Sequence, residues 1–238
     1  MTVTSFGKEV RAAPTDPAWK KWRASDQTCP HWYDLEHFER LLTTYIVDEQ
    51  ATRRRRTVRD FIAEFRGLAR TGKQKAILTE TGLARTPLVD LVEGGALRTD
   101  AVNQLLEAMK RHSKPVKPLA LGPIGKEHLT ARLQALGCEA DSVRYQQSVG
   151  VKDGVPWIFE TAFGWCPTFS ERRLVTGVNW SPGILNPFRE VGAHGESLDS
   201  VLERLRAGSG EPVCVVLHLT SARVEYTDRG KSAVVIPD

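Results

Sequence analysis

The chain has no apolar run near the ~20 residues that a membrane-spanning helix requires. Its opening segment, Met1 to Val10, also lacks the apolar core of a secretory signal. A cytoplasmic setting without membrane contact is therefore the expectation. Cysteine is sparse, and Cys29, Cys138, Cys166 and Cys214 lie too far apart for a zinc knuckle or a redox pair, so they read as ordinary buried thiols. The six histidines are equally scattered, with no paired spacing on one helix face, and no metal site is assigned. A P-loop is missing as well. Gly230-Lys231-Ser232 has the ending of one, but the glycine required five residues before Gly230 is Glu225. Lys231 is thus read as a point charge on a loop beyond a strand, suited to meeting a phosphate without a cradle of backbone amides, with a plain surface lysine as the alternative.

What is present is the profile of a globular protein of one or two domains: 238 residues, 41% hydrophobic and 26% charged. Charge is unevenly placed. Residues 51–85 carry ten Arg or Lys against three acids, Asp60, Glu64 and Glu80, which sets this segment at +7 and the remainder at −3. Headed by Arg53-Arg54-Arg55-Arg56, it is the electrostatic footprint of a surface that meets phosphate, most often nucleic acid. A solvated helix end or a linker would give the same run.

Residues 1–30 show little periodicity and read as an irregular lead-in. Asp34 then caps a segment whose Leu35, Phe38, Leu41, Leu42, Tyr45 and Ile46 share one helix face. Thr57 opens a second helix with the stripe Val58, Phe61, Ile62, Phe65 and Leu68. Gly72 is expected to interrupt before a short helix over 73–81, which Gly82 terminates. A helix over about 99–111 buries Val102, Leu105, Leu106 and Met109, and the prolines of 113–118 mark a linker. A further helix over 126–136 is stopped by Gly137. Strands dominate from there: 142–149 and 155–164 around the Asp153-Gly154 turn signal, 172–180, and 213–219 after a helix capped by Ser197. The fold class expected is α+β, a helical module over 31–118 followed over 119–238 by a two-layer α/β domain with a mixed four-stranded sheet, one face covered by the helix after Ser197.

Several segments, taken in order, carry a resemblance. Thr57 to Ala76, followed by Leu121-Gly-Pro-Ile-Gly-Lys-Glu-His-Leu129, resembles the helix–two-turns–helix module of the B subunit of topoisomerase VI, a type IIB DNA topoisomerase. Pro156 to Gly164 and Arg172 to Pro182 are similar to two strand motifs of that subunit's transducer domain, and Val215 to Ser221 with Gly230-Lys231 to its next strand and switch loop. The resemblance implies a transducer with the fold of a ribosomal-protein second domain. It also implies that Lys231 senses the γ-phosphate of ATP in a neighbouring ATPase domain. Double-stranded DNA is the implied nucleic acid. Arg53, Arg54, Arg55, Arg56, Arg59, Arg66, Arg70, Lys73 and Lys75 would contact its phosphates without reading bases.

The chain departs from that family in having no Asp-x-Gly-x-Gly sequence and no helix bearing a magnesium-holding asparagine. ATP and Mg2+ are therefore expected only through an ATPase domain that this sequence does not contain. No catalytic residue is assigned, and the chain alone is expected to be no enzyme. An ATPase domain or subunit and a DNA-cleaving subunit are the implied partners, with a homodimer left open. Two other readings stand beside this one: a stand-alone non-enzymatic adaptor in which Lys231 is idle, and an unrelated nucleic-acid-binding protein in which only the helical module matters.

Overall fold

Asp34 and Thr57 set the first two helices by the same chemistry, a side-chain oxygen accepting from the backbone three residues on. Asp34 accepts from His37 N at 2.8 Å and starts α1 (Leu35–Thr52); Thr57 accepts from Asp60 N, and Asp60 answers to Thr57 N at 2.9 Å, a reciprocal box that starts α2 (Val58–Ala63). The computed structural model describes residues 2–5, 8–11, 16–23, 25–182, 186–189, 196–227 and 233–236.

α2 is shorter than its apolar stripe. It ends at Ala63, yet Phe65 and Leu68 stay buried in the tight turns that follow. Gly72 lies inside α3 (Thr71–Thr81) rather than before it, and Gly82, at φ 69°, closes that helix. A two-residue hairpin, β3 (Val92–Glu93) and β4 (Ala96–Leu97), leads into α4 (Thr99–His112). One core unites these helices: Phe38, Phe61 and Phe65 meet at ring distances of 5.1–6.1 Å, backed by Leu42, Ile77, Leu105 and Met109.

The second half is α5 (Lys126–Ala135), β5 (Arg144–Lys152), β6 (Val155–Trp165), β7 (Arg173–Val178), β8 (Ser181–Pro182), α6 (Leu198–Arg204) and β9 (Val213–Ser221), with β1 (Thr2–Ser5) and β2 (Lys8–Arg11) forming a separate hairpin near the N-terminus. The sheet order is β5-β6-β9-β7-β8, with β7 and β9 parallel across the α6 connection and the other pairs antiparallel. The α+β class and the mixed four-strand sheet hold, extended at one edge by the two-residue β8. Asp153 and Gly154, both at positive φ, make the β5–β6 turn.

Strand alternation sends Phe159, Val215, Leu217 and Leu219 to one face, where α6 packs, and Ala162, Cys214 and Val216 to the other, where α5 packs. The single covered face of the expected two-layer arrangement is thus corrected to a helix on each side. The cysteine expectation is corrected too. Cys138 and Cys166 form a disulfide, because the hairpin register that pairs Arg144 with Phe163 runs the chain entering β5 beside the chain leaving β6. Cys29 and Cys214 remain as buried thiols. Among the described residues, no helix is long and apolar enough to cross a membrane.

The lead-in holds the two halves together. Trp22 N donates to Leu121 O at 2.8 Å, Trp19 Nε1 to Pro123 O at 2.8 Å, and Arg66 N to Thr28 O at 2.8 Å. Gly122 and Gly154, at φ 85° and 78°, lie so close to the carbonyls of Lys20 and His31 that a Cβ at either would collide with them. Residues 16–23 and 25–33 form a strap wedged between the helical module, the linker and the β5–β6 turn.

Candidate nucleic-acid interface

The four-arginine run forms the elbow between α1 and α2. Arg53 takes the left-handed conformation, φ 55°, that ends α1, so the chain turns at once and Arg53, Arg54 and Arg55 point into solvent. Arg56 does not join them. It pairs with Asp48 at 3.1 Å and stacks over the Tyr45 ring at 4.9 Å. Burial, with the Glu64 carboxylate that its hydroxyl contacts, pushes the Tyr45 phenol up to about 12.

The connector from α2 to α3 uses two more of the predicted cations internally. Gln74, buried, donates from Nε2 to Leu68 O and Ala69 O, both at 3.0 Å, and its Oε1 accepts from Arg59 Nε at 3.0 Å. Lys73 Nζ donates to Gly67 O at 2.9 Å. These bonds fix the connector's shape, and the buried amide would be left unsatisfied without them. Arg66, Arg70 and Lys75 are exposed. The structure therefore divides the nine predicted phosphate ligands: Arg53, Arg54, Arg55, Arg66, Arg70 and Lys75 carry no side-chain ion pair or hydrogen bond among the described residues, whereas Arg56, Arg59 and Lys73 serve the fold. Lys231 lies outside the described residues. No group of three or more metal-ligating side chains occurs among those described.

Two clusters escaped sequence reasoning. One is on the strap: Trp19-Lys20-Lys21-Trp22 places two exposed lysines between tryptophans, with Lys21 Nζ 5.1 Å from the Trp180 ring and 5.8 Å from that of Trp19. Its signal, cations interleaved with aromatics, was present in the sequence.

The other is buried on the α5 side of the sheet. Glu160 is fully enclosed on β6, and its carboxylate accepts from Ile124 N, Gly125 N and Tyr145 Oη at 2.8 Å each and from His218 Nδ1 at 3.2 Å. His218 Nε2 accepts from Trp180 N at 3.1 Å, which requires the neutral tautomer with its proton on Nδ1. Burial would raise the Glu160 pKa, but the hydrogen bonds from His218, Gly125, Ile124 and Tyr145 outweigh it and hold the carboxyl below the ordinary value. Burial and the same carboxylate push the Tyr145 phenol up. A single charge thereby ties residues 124–125 before α5, β5, β6, β9 and the turn before β8. The carboxylate is itself fully buried and taken up by four donors, so its chemistry is that of a structural anchor. No short motif announces it, because its partners are scattered from 124 to 218.

Comparison with protein-family models gives no match to this chain, and comparison with curated proteins gives none either.

Proposed function

We propose that this chain is the DNA-contacting and force-transmitting portion of an ATP-dependent type IIB topoisomerase-like protein. The observation that carries the DNA part is the elbow at Arg53 to Arg55: three adjacent guanidinium groups, exposed and without side-chain partners among the described residues, on a backbone fixed by the α1 end and the Thr57 cap. Such an array suits the phosphates of double-stranded DNA and carries no means of reading bases. The transmitting part rests on the motif resemblance and on how the halves are joined, since the strap bonds to Arg66 of the helical module and to Leu121 and Pro123 beside the sheet. In this reading Lys231 senses the γ-phosphate of ATP held by an ATPase domain supplied from elsewhere, and the loss of that contact on hydrolysis drives domain movement.

The test is equilibrium binding of a short DNA duplex, followed by fluorescence anisotropy between 50 and 200 mM salt. Each phosphate contact contributes about 0.9 to the slope of log K against log salt. Replacing Arg53, Arg54 and Arg55 by alanine is expected to lower affinity and to reduce the slope by about 2 to 3. Unchanged affinity and slope would make the elbow a solvated helix end. The sensing role is tested separately, by whether Lys231→Ala abolishes nucleotide-dependent association with an added ATPase domain.

A further inference from the structure

The strap carries a second basic surface that sequence reasoning passed over. An open groove of about 430 Å³ runs between it and the helical module, lined by Lys20, Lys21, Trp22, Asp26, Gln27 and Arg66. Three cations face one carboxylate. Asp26 Oδ2 already accepts from Arg23 N at 2.8 Å, so part of its hydrogen-bonding capacity is spent within its own turn. Lys20 and Arg66 have no side-chain ion pair or hydrogen bond among the described residues, and Lys21 meets only the rings of Trp19 and Trp180, which leave its charge intact.

The cations are also held in place. Lys20 stands on a carbonyl packed against Gly122, Trp22 N is bonded to Leu121 O, and Arg66 N is bonded to Thr28 O across the groove. Trp180 Nε1 donates to Gly122 O at 3.1 Å, bracing the linker beneath. A fixed backbone lowers the ordering cost of a bound polyanion. The groove's open form and lack of an enclosing wall suit a chain of phosphates better than a small phosphorylated molecule, which would need a concave pocket.

We infer that this groove is a second contact for the phosphodiester backbone of DNA, continuing the track begun at the Arg53 to Arg55 elbow. The inference rests on the DNA-binding reading above and extends it. Between the elbow and Arg66 lies only α2, six residues with ends about 9 Å apart, so the two cationic stretches are close along the chain.

The experiment uses the whole chain and a 20-base-pair duplex, with anisotropy read across the same salt range. Lys20→Gln, whose side chain has no partner to lose, is expected to weaken binding and lower the salt slope by about 0.9. The double variant Lys20→Gln/Lys21→Gln is expected to lower it by about 1.8. Lys126→Gln, an equal loss of charge on exposed α5, is the control and should move neither quantity. Thermal midpoints report whether the strap stays docked. The inference is overturned if the lysine variants match the parent while the elbow variant still loses affinity, an outcome that leaves the proposed function standing. It is also overturned if Lys126→Gln weakens binding as much as Lys20→Gln, since bulk charge would then account for the effect. Failure of the parent chain to bind DNA would remove both proposals together.

Discussion

Replacing Glu160 is the sharpest test of how the sheet holds the segment that leads into α5. Glu160→Ala removes one acceptor that four donors share: two backbone N–H groups, a phenol and the Nδ1–H of His218. A buried donor left without a partner costs about 1–3 kcal/mol. Not all four would pay that. Tyr145 Oη lies at a half-buried position and also accepts from Gln147, so its hydroxyl can turn towards water. His218 cannot turn without losing the bond from Trp180 N. With the two backbone groups and His218 counted at that cost each, the loss is about 3–9 kcal/mol. Glu160→Gln keeps the shape and one oxygen but turns an amide N–H2 towards donors, and about 2 kcal/mol is expected.

Denaturant unfolding followed by tryptophan fluorescence at pH 7 measures both. The pH dependence supplies an independent arm. Because the folded-state carboxyl is held below its ordinary value of 4.5, its contribution is fully present above the unfolded value and is lost as pH falls through the folded one. Glu160→Gln should therefore flatten the acid limb of the stability curve below about pH 4.5 and leave the alkaline limb unchanged. An alanine variant within about 1 kcal/mol of the parent would refute the anchor outright.

Two further perturbations probe other joints. Reducing the Cys138–Cys166 bond, which spans a sequence separation of 28, should cost about 3.6 kcal/mol by loop-closure entropy. A calorimetric midpoint that does not move with reductant would show the pair to be thiols in solution. Gly154→Ala forces a side chain onto a residue at φ 78° and against the His31 carbonyl, so about 1–3 kcal/mol of strain is expected, with faster proteolysis within residues 16–33. Equal cleavage rates for parent and variant would mean that the strap does not depend on this contact.

The helices were legible because their signals are local. Asp34, Thr57 and Ser197 each cap the element expected of them, and Gly82 closes α3 at the expected residue. Asp153-Gly154 marked the central hairpin for the same reason. Legibility failed where a residue's meaning depends on distant partners. Phe65 and Leu68 fit the helical period but lie beyond the end of α2, since buried turns can satisfy the same spacing. Arg59 reads as a DNA ligand until Gln74 is found beside it. Cys138 and Cys166 look unrelated until the hairpin register is known, and Glu160 is one acid among many until the linker amides reach it. The strap was hidden differently. Its sequence has no periodicity, and its order comes from what it touches rather than from any structure of its own.

That dependence bears on where the protein can be cut. A fragment beginning at residue 31, the start of the helical unit by periodicity, would retain α1 to α4 but strip the partners of Arg66 N and Leu121 O and open the ground beneath Trp180. The strap is masonry between two walls: each wall has its own bricks, but the angle between them is kept by mortar that belongs to neither. Shortening the chain there would leave both walls upright and free to swing.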